Sequence, residues 1–350
     1  MLKIKGKIFD KHNPFIIAEA GINHNGKLKN AIKMVDVAKS AGCSAIKFQT
    51  FKASEFLCKN VGKIKYKYKN KSINESLIKM FKRSELSEKD FKKIKHYCDK
   101  KKIIFFSTPQ NLSDLEILKR VGVPVLKIGS DDFINLHLIK NFIKTKKPLI
   151  LSCGMSDLAE VKRSLKVANF FKGYPVALLI CTSEYPTKLK NINLNKLTYL
   201  KKKFKNLTLG VSDHTKGNLA SVVARILGAE IFEKHFTLNK NFKGPDHNFS
   251  LNPLELKNWV VNIKSANDVL GNYKIEPTIL EKINKKIFRR KIIAIKKIKK
   301  NEIFSIKNIA LKRSNSKNGY FEDKFESFLG KKSKKNYSIE NLIDQKLSTK

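Results

Sequence analysis

Residues 207–215 (LTLGVSDHT) and 229–237 (AEIFEKHFT), joined by the apolar run 218–228 (NLASVVARILG), decide how this chain folds. Each flanking stretch is a short apolar run that ends in polar residues, and the run between them has helical character. A strand–helix–strand unit of this kind makes its strands parallel and brings both strand ends to one edge of the sheet. The histidines at those ends, His214 and His235, therefore share a rim. Two neutral imidazoles on one rim suit a divalent metal, with positions left open for water or substrate. A histidine at a strand end is more often a hydrogen-bonded structural group, so this pair carries weight only if other strand ends are polar too.

They are. Eight apolar segments alternate with helical patterns: 15–19 (FIIAE), 45–49 (AIKFQ), 103–107 (IIFFS), 125–129 (VLKIG), 149–152 (LILS), 176–181 (VALLIC), 207–211 and 229–235. Eightfold alternation over about 250 residues predicts a (β/α)8 TIM barrel, an α/β fold. Helix starts agree, with Ser87 three residues before Asp90 and Ser156-Asp157 opening the run that includes Glu160. An open doubly wound sheet is the rival, but residues 21–26 (GINHNG) do not make a GxGxxG turn after the first strand. The barrel is expected over 1–272, a linker over 273–287, and a small β-rich C-terminal domain over 288–350. That last piece is near the lower size limit for an independent core.

Composition narrows the setting. Mean hydropathy is −0.34, and no apolar run approaches the roughly 20 residues of a spanning helix. The N-terminal MLKIKGKIFDKHNP has no signal-peptide core, which predicts a cytoplasmic protein with no membrane partner. Five widely spaced cysteines without a CxxC pair fit reduced thiols. The net charge of +43 invites a nucleic-acid reading, yet only seven of the 73 basic residues are arginine, the side chain that reads bases and phosphates best. The lysines are scattered over the chain, so no specific nucleic-acid binding is expected, although the field attracts anions.

In TIM barrels the site is built at the C-terminal strand ends. Read in order, those ends offer Glu19; Lys47 and Gln49; Ser107 and Thr108; Lys127, Ser130, Asp131 and Asp132; Ser152; Thr182, Ser183 and Tyr185; Ser212, Asp213 and His214; and Lys234 and His235. A loop adds Asp246 and His247. Lysines within strands are costly without an anionic partner. Lys47 and Lys127 with the hydroxyls of Thr108, Ser130, Ser152 and Ser212 suit a substrate bearing phosphate and carboxylate, as phosphoenolpyruvate does. Glu19 is the acid/base candidate. A Schiff-base aldolase, which needs one desolvated lysine and no metal, stays open on these residues. So does a basic polyanion-binding protein built on a relic barrel.

At these residues the chain resembles the N-acetylneuraminate (sialic acid) synthases and their N,N′-diacetyllegionaminate and pseudaminate relatives. IIAEAGINHNG, IKFQT, STP, LKIGS, LSCGM, CTSEYPT, VSDHT, EKHFTL and GPDH follow in the family's order, and residues 289–313 resemble its antifreeze-like (SAF) domain. The resemblance implies condensation of phosphoenolpyruvate with an open-chain N-acyl hexosamine of the N-acetylmannosamine type. The products would be N-acetylneuraminate, a nine-carbon 2-keto acid sugar, and phosphate released by C–O cleavage. A 2,4-diacetamido-2,4,6-trideoxymannose, leading to diacetyllegionaminate, is the alternative. It implies Mn2+ or Mg2+ on His214 and His235, and phosphoenolpyruvate on Lys47, Thr108, Lys127, Ser130, Ser152, Ser183 and Ser212. Glu19, Lys47 and Lys127 would be catalytic. The sugar would meet Gln49, Asp132, Tyr185 and Asp246, with Arg313 taking the N-acyl group in a domain-exchanged homodimer. Three departures stand out. Asp131-Asp132 replace a Gly-Glu, Ser183 stands where several members have asparagine, and SNSKNG after Arg313 lacks the usual Pro-Gly. GPDH favours a sialate or legionaminate substrate over a pseudaminate one.

Overall fold

The computed structural model describes residues 2–69, 71–316 and 318–346. Its first unit, Met1–Gly271, is built on eight parallel strands. They are β1 (Phe15–Gly21), β2 (Ala45–Thr50), β3 (Ile104–Pro109), β4 (Leu126–Ile128), β5 (Leu149–Ser152), β6 (Val176–Cys181), β7 (Thr208–Ser212) and β8 (Ile231–His235). Hydrogen-bonded neighbours run β3-β2-β1-β8-β7-β6-β5-β4. The two ends of that order, β3 and β4, lie side by side and close the cylinder as the sequence predicts. Every residue of β1 (FIIAEAG) and β6 (VALLIC) is buried, which is why they read as unbroken apolar runs instead of alternating ones.

Helices cover the strands through one apolar stripe each. Leu28–Ser40 buries Ala31, Met34, Val35 and Ala38, a spacing that repeats every helical turn. Ser87 with Asp90 and Asp157 with Glu160 form full capping boxes at the predicted starts, satisfying backbone donors that the first turn leaves unpaired.

Two hairpins fall outside the sequence reading. Leu2–Ile4 pairs with Lys7–Phe9, and Lys63–Tyr68 pairs antiparallel with Lys71–Ser76. The second follows β2 on the site-bearing rim and runs into the helix Leu77–Arg83. Its lysine-rich sequence hides a period-two pattern that buries Tyr66 and half-buries Ile64.

The second unit is Asn272–Lys350. Within the stretch read as a linker, Ile279–Phe288 forms a helix capped by Thr278 and Glu281. Beyond it β9 (Arg290–Ala294) pairs antiparallel with β10 (Ile309–Arg313). Short bridges such as Ile293 to Leu342 and Ile298 to Tyr337 wrap the chain around a core of Ile292, Ile298, Phe304, Ile309, Phe328 and Ile343. Among the described residues, no helix is long and apolar enough to cross a membrane.

Candidate active site

The C-terminal ends of the barrel strands surround a cavity of about 290 Å3. Thirteen of the residues singled out from sequence line it: Glu19, Lys47, Gln49, Thr108, Lys127, Ser130, Asp131, Ser152, Ser183, Tyr185, Ser212, His214 and His235. Both lysines are almost wholly buried, at 3 % and 1 % exposure. Lys47 reaches Glu19 at 3.1 Å and donates to Thr108 Oγ1 at 3.0 Å. Lys127 donates to Ser152 Oγ at 2.7 Å.

Between the two ammoniums stands Glu233, which the strand-end roster missed. Its carboxylate lies 3.7 Å from Lys47 and 3.8 Å from Lys127, and it accepts from Ser212 Oγ at 3.0 Å. The signal was the period of two along β8, which sends Glu233 and His235 inward and Lys234 outward. Lys234 and Asp213, which the roster offered, lie outside the site instead. Lys234 pairs with Asp213 at 2.9 Å and donates to Thr215 O at 2.7 Å. Asp213 also accepts from Ser221 Oγ at 2.6 Å, and Ser221 Oγ accepts from Trp259 Nε1 at 2.8 Å. That network holds strands to helices.

Electrostatics divide the two carboxyls. Burial pushes Glu19 up to about 8 against the pull of Lys47. Burial also opposes the charge on Glu233, but Lys127 and Lys47 outweigh it and hold that carboxyl below its usual range. Lys47 is buried too, yet Glu19 and Glu233 raise it above an ordinary lysine. Lys127 is lowered by burial, with Glu233 working the other way. Two amines and two carboxyls thus share one buried pocket, Lys47 within 4 Å of both Glu19 and Glu233 and Lys127 within 4 Å of Glu233. Replacing such a buried cluster by well-packed apolar groups is often neutral or stabilising by about 1–4 kcal/mol, so stability alone does not account for it.

Hydroxyls complete the floor. Ser130 Oγ accepts from Gly154 N at 3.0 Å. A Cβ on Gly154 would sit 2.6 Å from Ser130 Oγ and 2.8 Å from Ser183 Oγ, so only glycine lets both hydroxyls converge there. Ser183 Oγ and His235 Nδ1 are buried without a hydrogen-bond partner. Unmet groups of this kind lining a cavity point to a ligand.

His214 and His235 lie together on this rim, with ring centroids 5.4 Å apart. Nδ1 of His214 meets the Thr182 carbonyl at 3.0 Å, which turns Nε2 free for a ligand. Burial and the neighbouring His214 hold His235 well below the usual imidazole range, whereas contacts to Cys181 and the Thr182 carbonyl raise His214 against its own burial. Among the described residues, no group of three or more His, Cys, Asp or Glu side chains could hold an ion. A divalent ion at this rim would take these two imidazoles as ligands and draw the rest of its shell from water or substrate.

Asp246 lies 4.0 Å from His235 and lines an adjoining cavity of about 690 Å3, together with Gln49, Tyr185 and His235. Asp132 lines neither cavity, and its carboxylate instead accepts from Asn135 at 3.0 Å, beside the start of a helix. Asp131 lines the first cavity in its place. Arg313 belongs to the second unit, where its guanidinium lies 5.7 Å from the centre of the Phe288 ring.

A barrel with this rim has known counterparts. The sequence profile of the NeuB family matches residues 34–275. The chain belongs to the NeuB family. Among NeuB relatives, it is 40% identical over 330 residues to N,N′-diacetyllegionaminic acid synthase of Campylobacter jejuni subsp. jejuni serotype O:2, covering 94% of this chain and 98% of that one. Identity to the pseudaminic acid synthase of the same strain is 34%, over 95% of each chain. A crystal structure of N-acetylneuraminic acid (sialic acid) synthetase from Leptospira borgpetersenii, in complex with citrate, superposes with a TM-score of 0.72. It shares 33% identity and covers 81% of this chain and 95% of that one. This NeuB chain is an enzyme of the condensing-synthase type.

Proposed function

We propose that this enzyme joins phosphoenolpyruvate to the aldehyde of an open-chain N-acyl hexosamine, giving a nine-carbon 2-keto acid sugar and phosphate. The observation that carries the reading is the buried Lys47–Glu233–Lys127 cluster, ringed by the hydroxyls of Thr108, Ser152 and Ser212 at the barrel rim. Two buried lysines among hydroxyl donors suit a substrate bearing both phosphate and carboxylate. Ser130 and the unpartnered Ser183 hydroxyl add donors on the same wall.

The steps balance as follows. C3 of phosphoenolpyruvate forms a bond to the aldehyde carbon, whose oxygen takes up a proton. Water adds at C2, the C2–O bond to phosphate breaks, and the C2 carbonyl forms. Water supplies the keto oxygen, and its two protons end on the new hydroxyl and on phosphate. Glu19, its carboxyl raised by burial and set beside Lys47, is the group placed to move protons in this sequence. His214 and His235 are the residues that would hold Mn2+ or Mg2+, which polarises a carbonyl oxygen when bound. Gln49, Tyr185 and Asp246 lie on the side of His235 where the sugar chain would extend. The same reading assigns Arg313 to the N-acyl group and a homodimer to the working form, tested by an Arg313→Ala variant and by sedimentation.

The test is to supply phosphoenolpyruvate, a divalent metal and a panel of N-acyl hexosamines, N-acetylmannosamine among them. Phosphate release matched by keto-acid formation is expected with at least one sugar. No turnover with any of them refutes the proposal.

A further inference from the structure

The larger cavity shares Gln49, Tyr185 and His235 with the smaller one, so a chain held by its aldehyde near His235 extends into it. Its opposite wall comes from one place in the sequence, the hairpin Lys63–Ser76 and the helix after it. Ile64, Tyr66, Leu77, Met80 and Phe81 line the cavity from there, and Ile22 joins them from beyond β1. These residues are a small core in their own right. Ile22, Met80 and Phe51 are buried together, and Phe81 packs edge-on against Phe51 and Phe56 at centroid distances of 5.1 and 5.0 Å. The wall is thus backed and held in shape.

It is also short of hydrogen-bonding groups. The one hydroxyl on it, that of Tyr66, is committed to Glu75 Oε2 at 2.7 Å, which leaves the ring as the tyrosine's contact surface. Lys65 and Lys67 line the cavity from the exposed side of the hairpin. A sugar hydroxyl set against Ile64, Leu77, Met80 or Phe81 gives up water without a replacement partner on those side chains, whereas a methyl there is favoured.

We infer that the apolar wall of hairpin Lys63–Ser76 and helix Leu77–Arg83 sets sugar specificity, selecting hexosamines whose far end is apolar. The sugars chosen carry a deoxy terminal carbon and a further acyl methyl in place of hydroxyls. This rests on the reaction proposed above and deepens it. It places the 2,4-diacetamido-2,4,6-trideoxy hexose ahead of N-acetylmannosamine as substrate.

The experiment compares kcat/KM by phosphate release for four sugars with the full-length metal-supplemented enzyme. They are N-acetylmannosamine, its 6-deoxy analogue, its 6-phosphate and the 2,4-diacetamido-2,4,6-trideoxy sugar. The deoxy sugars are expected to exceed their 6-hydroxy counterpart by about 10–100-fold, the range one such group is worth in an apolar pocket. Ile64→Thr should cut that ratio several-fold, and Leu77→Gln gives a second reading should the first variant fold poorly. Turnover without preference, or preference for the 6-hydroxyl or the 6-phosphate, overturns the inference and leaves the condensation intact. The 6-phosphate result would transfer the role to Lys65 and Lys67. An unchanged ratio in folded variants also overturns it, and no turnover with any sugar removes the condensation with it.

Discussion

Replacing Glu233 by glutamine removes one charge and almost nothing else. The amide keeps the size of the side chain and an oxygen to accept from Ser212, now 3.0 Å away. What it loses is the attraction to Lys47 at 3.7 Å and Lys127 at 3.8 Å. Unit charges about 4 Å apart attract by about 4 kcal/mol at an effective dielectric near 20. Lys127 is already lowered by burial, with Glu233 as its main counterweight, so the variant lowers it further. The KM for phosphoenolpyruvate in Glu233→Gln should therefore rise with pH more steeply than the wild-type value. Leaving two buried ammoniums short of a partner should also cost about 3–5 kcal/mol of folding stability. Saturating phosphoenolpyruvate should return part of it, because the anion binds only the folded chain. Initial rates of phosphate release from mildly acid to mildly alkaline pH, with thermal denaturation with and without ligand, read both effects. A level KM and an undiminished melting temperature in the variant would refute the role given to this cluster.

Three further outcomes follow from the same geometry. His235→Ala should weaken Mn2+ binding measured by calorimetry and lower activity in parallel, whereas full activity after metal stripping shows the ligand assignment to be wrong. Lys234→Met breaks the 2.9 Å pair with buried Asp213 and should lower unfolding free energy by about 3–5 kcal/mol without moving the KM for phosphoenolpyruvate; a raised KM at full stability would return Lys234 to the site. Burial pushes Asp114, 1 % exposed, up to about 6. An acid whose pKa is raised on folding loses stability as pH climbs from its unfolded value through its folded one, here by up to about 3 kcal/mol. Asp114→Asn should therefore melt higher than wild type above that pH and equally at strongly acid pH, and denaturation curves at the two extremes decide it.

The barrel was readable because its strands are buried on both faces, which leaves unbroken apolar runs such as VALLIC, and because capping residues mark helix starts at Ser87 and Asp157. The hairpin after β2 escaped because its inward positions, Ile64 and Tyr66, are separated by lysines that read as a solvated loop. In the site, residues at strand ends were legible by place alone. Which neighbour points inward depends on strand phase, and β8 shows it. Glu233 and His235 face the cavity and Lys234 faces the helices, so reading the end of the strand gave one lysine too many and one carboxylate too few. At β4 the same ambiguity favoured Asp132, while the turn directs Asp131 to the cavity and gives Asp132 to Asn135.

In the proposed reaction, phosphoenolpyruvate held by Lys47 and Lys127 should react at carbon and release phosphate by C–O cleavage. Phosphoenolpyruvate labelled with oxygen-18 in its bridging position tests it directly, with an N-acyl hexosamine as acceptor and mass analysis of the phosphate. The account predicts that the released phosphate carries the label. Unlabelled phosphate, or a pyruvate adduct trapped by borohydride on Lys47 or Lys127, would contradict it.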